Sequence, residues 1–452
     1  MRLSLNDSGY SGLVLEKLSG AGAKVGDTIR IQQEGKEYTG ILMPRVQIGG
    51  DPDHIVIKLS TGYNVGVRLS AKSELERVRA GGKARRTDER DTPTPDSNLP
   101  SVAILSTGGT IASKVDYRTG AVNPALTAQD LYDTVPELGN HANVRARVLM
   151  SVFSEDIHTT DWTKMARAVA KEIKSGADGV VIAHGTDTLG FTSAALSFAL
   201  QNLPVPVALV GSQRSSDRPS SDAAINLIYA TEFVGRADVA EVMLVMHGET
   251  DDSFAYAHRG TRVRKNHTSR RDAFQSINSY PIFKIESTGI TEIAEPIHRR
   301  DPERKLKLKP KFDERVAIVR TYPGLNPSII DYYTDCGYRG VVLEGTGLGH
   351  APKAIQPSLK RALDAGMVVA MTSQCISGRI DMNVYRTGVE LLEMGVVPCE
   401  DMLTETAFVK LMWLLANKKS EEEVKKSMTE SVVGEIEMRT EMAQYRASLE
   451  AE

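Results

Sequence analysis

Cysteine is scarce. The 452 residues hold three, Cys336, Cys375 and Cys399, and no two stand in a C-x-x-C spacing. That argues against a disulfide framework and a thiolate zinc site, and it fits a reducing cytosol. Long apolar runs are missing too. None approaches the ~18 to 20 residues a bilayer span requires, so no membrane association is expected. The opening MRLSLNDSGYSG has no basic stretch followed by an apolar one, so it does not read as a signal peptide. Neither sign of charge dominates. The formal net charge is −3, which gives no global pull toward nucleic acid. Phosphate-cradling loops are also lacking, because no G-x-x-x-x-G-K-[ST] occurs. GAGAKVGD near residue 20 is a lookalike, and GTGLGH at 345–350 has His350 where a dinucleotide loop needs its last glycine. There is no internal repeat and no low-complexity tract. A soluble cytoplasmic chain is expected, with no metal and no cofactor of its own.

What is present divides into blocks. Hydrophobic residues make up 41% and charged residues 25%, an ordinary globular balance, and the length calls for two or three domains. Residues 1–80 carry short alternating runs, such as Ile29 and Ile31, then Ile55, Ile57 and Leu59, punctuated by Gly, Asp and Pro. They read as a small β-barrel or sandwich of about five strands. Residues 81–98 are charged, then rich in Pro, Ser and Thr, and read as a linker. From 99 to 285, SVAILS, GVVIAHG, VPVALVG and EVMLVMHG alternate with DWTKMARAVAKEIKSG, TSAALSFALQN and SDAAINLIYATEFV. Continuous Val/Ile/Leu runs between amphipathic helices indicate a parallel sheet covered on both faces. In the first helix Asp161 reads as the N-cap and Gly176 as the end. Residues 286–314, with RRDPERKLKLKPKFDER, read as a charged exposed connection. Residues 315–440 repeat the α/β habit with RVAIVRTYPG, GVVLEGTG and MVVAMTSQ. The charged end from SEEEVKK onward reads as surface helix.

Ligands of open parallel sheets collect at the carboxyl ends of the strands. The residues there are chemically loaded. SVAILS runs into Thr107-Gly108-Gly109-Thr110, GVVIA into His184-Gly185-Thr186-Asp187-Thr188, ALV into Gly211-Ser212-Gln213-Arg214, and VLMSV into Phe153-Ser154-Glu155-Asp156. A threonine hydroxyl is a weak nucleophile that needs a proton acceptor and a home for the developing oxyanion. Bare glycines such as Gly109 let main-chain N–H groups approach that oxyanion. Asp187 offers a carboxylate to an ammonium, from a lysine or from a substrate's α-amino group. Each motif also has a plainer meaning. TGGT alone is a tight turn capped by threonine, and HGTDT alone is a helix N-cap.

The pair TGGTIAS and HGTDTL, about 75 residues apart and followed by LVGSQR, resembles the asparaginase/glutaminase family of amidohydrolases. The resemblance covers about residues 100 to 440. It implies an asparaginase-like pair of α/β domains with parallel sheets, so the whole chain is expected to be α/β, with the small N-terminal β-barrel read from residues 1–80 placed before that pair. It also implies site roles. Thr110 is the nucleophile, and Thr186 and Asp187 form the second motif. Lys265, in VRKNHT, is the lysine that shares a proton relay with them, and without the family match a surface lysine is the plainer reading of it. Tyr117 sits in a mobile lid, and Ser154, Glu155, Asp187 and Gly109 bind substrate. Many asparaginases carry glutamine where Glu155 stands, which leaves amino-acid preference open, as it leaves the choice of Thr110 or Thr186 as acyl carrier.

Residues 1–98 and the arginine-dense HRGTRVRKNHTSRR, 258–271, have no place in a plain amidohydrolase. With VRTYPGLNP they resemble one branch, the D subunits of archaeal Glu-tRNA(Gln) amidotransferases. That branch implies glutamine or asparagine hydrolysis and delivery of ammonia to a partner, the E subunit. The partner activates Glu-tRNA(Gln) with ATP and Mg in a heterotetramer built on a homodimer of this chain. A free-standing asparaginase/glutaminase with an extra domain, and a non-catalytic scaffold, are the competing classes. The arginine segment reads either as solvated surface or as an RNA contact, and the N-terminal block equally as a partner-docking module.

Overall fold

The computed structural model describes residues 8–33, 35–43, 51–59, 64–80, 95–108, 113–116, 121–124, 131, 135–214 and 221–440. The linker read at 81–98 lies mostly outside them.

At the N-terminus a helix that the sequence pattern did not reveal, α1 (Gly12–Gly20), precedes five strands. These are β1 (Thr28–Gln33), β2 (Lys36–Leu42), β3 (His54–Lys58), β4 (Asn64–Arg68) and β5 (Glu74–Arg79). They form one antiparallel sheet in the order β4-β3-β2-β1-β5. Ile29, Ile31, Ile55 and Ile57 point to one face, where Val14 and Leu18 of α1 cover them. Period-2 alternation in the strands and helical spacing in α1 thus meet on one small core. The strand count matches the expectation. Barrel closure does not appear, because no ladder joins β4 to β5 among the described residues.

The next domain holds β6 (Ser101–Ser106), the short hairpin β7 (Ser113–Asp116) and β8 (Ala121–Pro124), β9 (Asn143–Val148), α2 (Thr159–Lys174), β10 (Gly179–Ala183), α3 (Leu189–Ala199), β11 (Leu200–Gln201), β12 (Val207–Val210), α4 (Ala223–Arg236) and β13 (Val242–His247). Strands β9, β6, β10, β12 and β13 run parallel. All five residues of β10 and all four of β12 are buried, as a sheet covered on both faces requires. Three strands then extend it antiparallel, β14 (Phe254–Arg259), β17 (Phe283–Glu286) and β18 (Gly289–Glu292), to give eight strands. Between them lies a second hairpin, β15 (Val263–Lys265) with β16 (Phe274–Ser276). The strand preceding the Ser154 loop is Asn143–Val148, earlier than VLMSV. Helix α2 has His158 at its N-cap, whose backbone N–H donates to Asp161 at 3.1 Å. Asp161 is therefore the third residue of the first turn, where its carboxylate faces the free N–H groups.

A two-residue strand β19 (Lys307–Leu308) pairs with β11. The last domain is a four-stranded parallel sheet, β20 (Val316–Arg320), β21 (Gly340–Gly345), β22 (Val368–Ser373) and β23 (Val397–Pro398). Its helices are α5 (Ser328–Asp335), α6 (Gln356–Asp364), α7 (Arg386–Met394), α8 (Thr404–Asn417) and α9 (Glu421–Met428). Helices α3 and α8 are apolar almost all round, which marks helices buried between layers. They pack together, with Phe198 and Trp413 stacked at 5.6 Å, and one apolar core runs through both α/β domains.

Among the described residues, the charged end is a helix only over α9. Residues 429–440 are irregular. Glu435 is fully buried there and forms a 2.6 Å ion pair with the equally buried Lys410. The carboxylate also accepts the N–H groups of Val432 and Val433, and Lys410 donates to the carbonyls of Met428 and Glu430. A buried charge persists when paired and hydrogen-bonded in this way.

Candidate active site

Three adjacent parallel strands, β6, β10 and β12, deliver their loops to one edge of the sheet. After β6, Thr107 is buried, and its hydroxyl donates to the Ala183 carbonyl at 3.1 Å. Gly108 follows with φ +112°, and a Cβ there would stand 2.5 Å from the Val152 carbonyl oxygen. Only glycine meets both demands. Gly109 and Thr110, and Tyr117 between β7 and β8, lie outside the described residues.

After β10, the loop is seated by contacts on every side. The His184 ring is buried, with Nδ1 against the Gly185 carbonyl at 2.6 Å and Nε2 against the Thr192 hydroxyl at 3.0 Å. Burial lowers its pKa to about 4, so the imidazole is neutral at physiological pH. A Cβ on Gly185 would meet Ser154 Oγ at 2.9 Å. The Thr188 hydroxyl donates to the Ser154 carbonyl at 2.6 Å. Ser154 and Glu155 are thereby pressed against the HGTD turn. Ser154 is buried and Glu155 exposed, so the pair presents a hydroxyl floor and a carboxylate rim.

Lys265, at the end of β15, reaches back across 79 residues of sequence. Its Nζ donates to Thr186 Oγ1 at 2.9 Å and to Asp187 Oδ1 at 2.8 Å. The lysine side chain is 15% exposed and the aspartate 68%. The ammonium is thus largely withdrawn from water while its carboxylate is not. The structure brings Thr186, Asp187, Lys265, Ser154 and Glu155 to one edge. Such an arrangement can hold an ammonium or a carboxylate and pass a proton along a hydroxyl–amine pair.

Residues with no role assigned from sequence complete the frame. A Cβ on Gly211, after β12, would meet the Thr186 methyl at 2.7 Å. The Gly211 carbonyl accepts from Asn226 at 3.0 Å, and Asn226 Oδ1 meets His247 Nδ1 at 2.5 Å. Asp252 lies 3.0 Å from His247 Nε2 and accepts from Arg271 at 2.8 Å. Asp222 accepts the N–H groups of Gln213 and Arg214. The glycine of LVGSQR is the one sequence signal for this frame. Its side-chain partners come from α4 and β13 and carry no local motif.

The arginines of this dense segment are paired, although Arg270 stays 55% exposed. Arg259 pairs with Glu241 at 2.9 Å, and the fully buried Arg262 with the fully buried Asp401 at 2.8 Å. Arg264 pairs with Glu405, Arg270 with Asp272 and Arg271 with Asp252. These cations fix the β15–β16 hairpin, and with it Lys265.

A mostly parallel eight-stranded sheet with its loaded edge, followed by a four-stranded parallel domain, is the asparaginase architecture. Residues 101–298 match the family described as asparaginase, N-terminal, and residues 315–428 the glutaminase/asparaginase C-terminal domain. The thermostable L-asparaginase of Thermococcus kodakarensis superposes with a TM-score of 0.67 at 32% identity, covering 75% of this chain and 100% of that one. The L-asparaginase I of Vibrio cholerae gives 0.66 at 28% identity, with coverage of 75% and 100%.

The N-terminal sheet narrows the family. Residues 23–78 match the GatD N-terminal domain. The chain is 51% identical to the D subunit of the glutamyl-tRNA(Gln) amidotransferase of Pyrococcus furiosus, over 94% of its own length and 97% of the relative's. It is 46% identical to the D subunit from Methanothermobacter thermautotrophicus, over 97% and 99%. The chain belongs to the family of glutamyl-tRNA(Gln) amidotransferase D subunits.

Proposed function

We propose that this chain is the amide-hydrolysing subunit of a tRNA-dependent amidotransferase. It takes glutamine, or asparagine, and releases ammonia for its partner. That partner, the E subunit, converts Glu-tRNA(Gln) to Gln-tRNA(Gln). ATP and Mg belong to it. In the reaction the Thr110 hydroxyl adds to the side-chain carboxamide carbon. The oxyanion is held by N–H groups around Gly109. The C–N bond then breaks, the threonine proton leaves with the nitrogen as ammonia, and water hydrolyses the acyl ester to the free carboxylate. Thr186, Lys265 and Asp187 act jointly as the proton relay. Ser154, Glu155 and Asp187 hold the substrate's α-carboxylate and α-amino ends, and Tyr117 closes over them.

The single observation that carries this reading is the convergence of Lys265 Nζ on Thr186 Oγ1 and Asp187 Oδ1. A structural lysine is satisfied by the Asp187 carboxylate alone, and the added hydroxyl supports a relay. Family membership supports the tRNA-dependent setting over a free-standing asparaginase.

The test is ammonia release from glutamine and asparagine by wild type, Thr110→Ala and Lys265→Met, each with and without partner and Glu-tRNA(Gln). Loss in both variants and a rise on adding partner and charged tRNA are expected. Full turnover indifferent to tRNA would make the chain a free-standing asparaginase, and an unchanged Thr110→Ala would make it a scaffold.

A further inference from the structure

The end of the eight-stranded sheet opposite Lys265 carries a second feature. A cleft of about 670 Å³ opens where β10 and β12 begin, lined by Ala177 and Asp178 on one side and Pro204 and Val205 on the other. Lys174, Arg300, Arg304 and Lys305 also line it. Three of these four cations come from the connection to the last domain.

That connection is unlike the rest of the chain. Residues 299–311, RRDPERKLKLKPK, hold seven cations against two carboxylates, a local +5 on a chain whose total is −3. Arg299 is consumed by Glu292 and Asp238. Arg300 spends its N–H groups on the carbonyls of Val234, Ala237 and Asp178, and Arg304 on those of Leu203 and Arg299. Asp301 stands 3.7 Å from Arg304. The lysines differ. Lys305, Lys307, Lys309 and Lys311 are all exposed. Neither they nor Lys174 has an ion-pair partner among the described residues. β19 pairs with β11, and Leu306 packs on the core. Extended chain therefore turns alternate lysines outward in a row, with the partly buried arginines as a cationic floor behind them.

We propose that this lysine row and its cleft form a contact for an RNA phosphate backbone, so that the chain itself touches the tRNA of the complex. The surface chemistry selects among anions. A tight site for one small phosphate or carboxylate uses a free bidentate guanidinium, and here Arg300 has spent Nε, Nη1 and Nη2 on carbonyls, while Arg304 has spent Nη1 on two carbonyls and turns Nε to Asp301 at 3.7 Å. Flexible ammonium groups in a row, without carboxylate partners, suit a long polyanion bound through counterion release. The arginine segment 258–271, the other candidate from sequence, is excluded by its internal pairs. The inference rests on the tRNA-dependent reading above.

The test changes Lys174, Lys305 and Lys307 together, to Gln in one variant and to Glu in another. None touches the relay. An unmodified tRNA(Gln) transcript is titrated by fluorescence anisotropy into the isolated chain and into the complex with its partner, at several KCl concentrations. The expected result is at least ~10-fold weaker binding in both forms. The slope of log affinity against log salt should fall by about two to three, near one unit per lysine. RNA-independent ammonia release should stay at the wild-type rate. Unchanged affinity and slope overturn the inference, as does a wild-type chain that binds no RNA. Loss of partner assembly with RNA affinity intact also overturns it, in favour of an acidic protein face. Should the Glu variant melt early, the Gln variant decides. Absence of ammonia release in wild type would instead sink the functional reading, and it is scored separately.

Discussion

Thr186 is held by three different kinds of contact, and each makes a separate prediction. The first is the 2.9 Å hydrogen bond from Lys265. Removing it in Lys265→Met, or removing the hydroxyl in Thr186→Val, should lower kcat for ammonia release by ~10²- to 10⁴-fold, the usual worth of positioned proton transfer. Melting temperature should barely change, because the site is open on one side. The second contact is steric. Gly211→Ala would place a methyl 2.7 Å from the Thr186 methyl, so the threonine must rotate away from Lys265. Steady-state kinetics should show a kcat loss exceeding the KM change. The third is the seat beneath the loop, where His184 is buried and neutral. His184 has its pKa lowered by burial to about 4, and His258 likewise to about 3. Below about 6.5 the unfolded chain binds these protons while the folded chain refuses them. Stability is therefore full above pH 6.5 and lost as pH falls toward 4 and then 3. Within that window each histidine contributes a slope of up to about 1.4 kcal/mol per pH unit. Urea midpoints at pH 7, 6 and 5 measure it.

At the scale of the element, the parallel strands and the buried helices are legible, because apolar runs of the right length admit one reading. GVVIA, VALV and VMLVMH are strands where expected. What escapes is antiparallel or polar. β9 is NVRARV, whose arginines mask its alternation. β14, FAYAHR, is buried although it ends in histidine and arginine. Arg262 finds its carboxylate 139 residues away at Asp401, so no local pattern distinguishes it from a surface cation. The same holds for the end of the chain, where a run of mixed charge hides the fully buried Glu435. That element carries its own prediction. Lys410→Met leaves an unpaired buried carboxylate and should cost about 3 to 5 kcal/mol. The double change Lys410→Met with Glu435→Leu should recover most of the loss, as read in a thermal melt.

For the whole molecule, the site was legible where chemistry sits beside strand ends and illegible where it depends on distant support. Thr186 and Asp187 follow a strand that a pattern finds, whereas Ser154 and Glu155 follow β9, whose bounds the pattern misplaced. Lys265 lies in a hairpin no periodicity announces, and only the resemblance of VRKNHT singled it out. Asn226, His247 and Asp252, which brace Gly211 from behind, have no motif at all. At this scale the assembly is expected to couple its reactions. Ammonia release by this chain should rise several-fold only when the E subunit and Glu-tRNA(Gln) are both present, measured by coupled ammonia detection with each component omitted in turn.

The hairpin bearing Lys265 is moored in the far lobe. Thr406 grips the Thr261 carbonyl at 2.9 Å, Asp401 grips Arg262 and Glu405 grips Arg264. Thr186 and Asp187 belong to the near lobe. One nitrogen therefore ties the seating of the far lobe to Thr186 and Asp187, and a slide of one lobe against the other would change the length of its two hydrogen bonds. A protein pressing on the C-terminal lobe would thereby reach the contacts of Lys265 without entering the strand-end site.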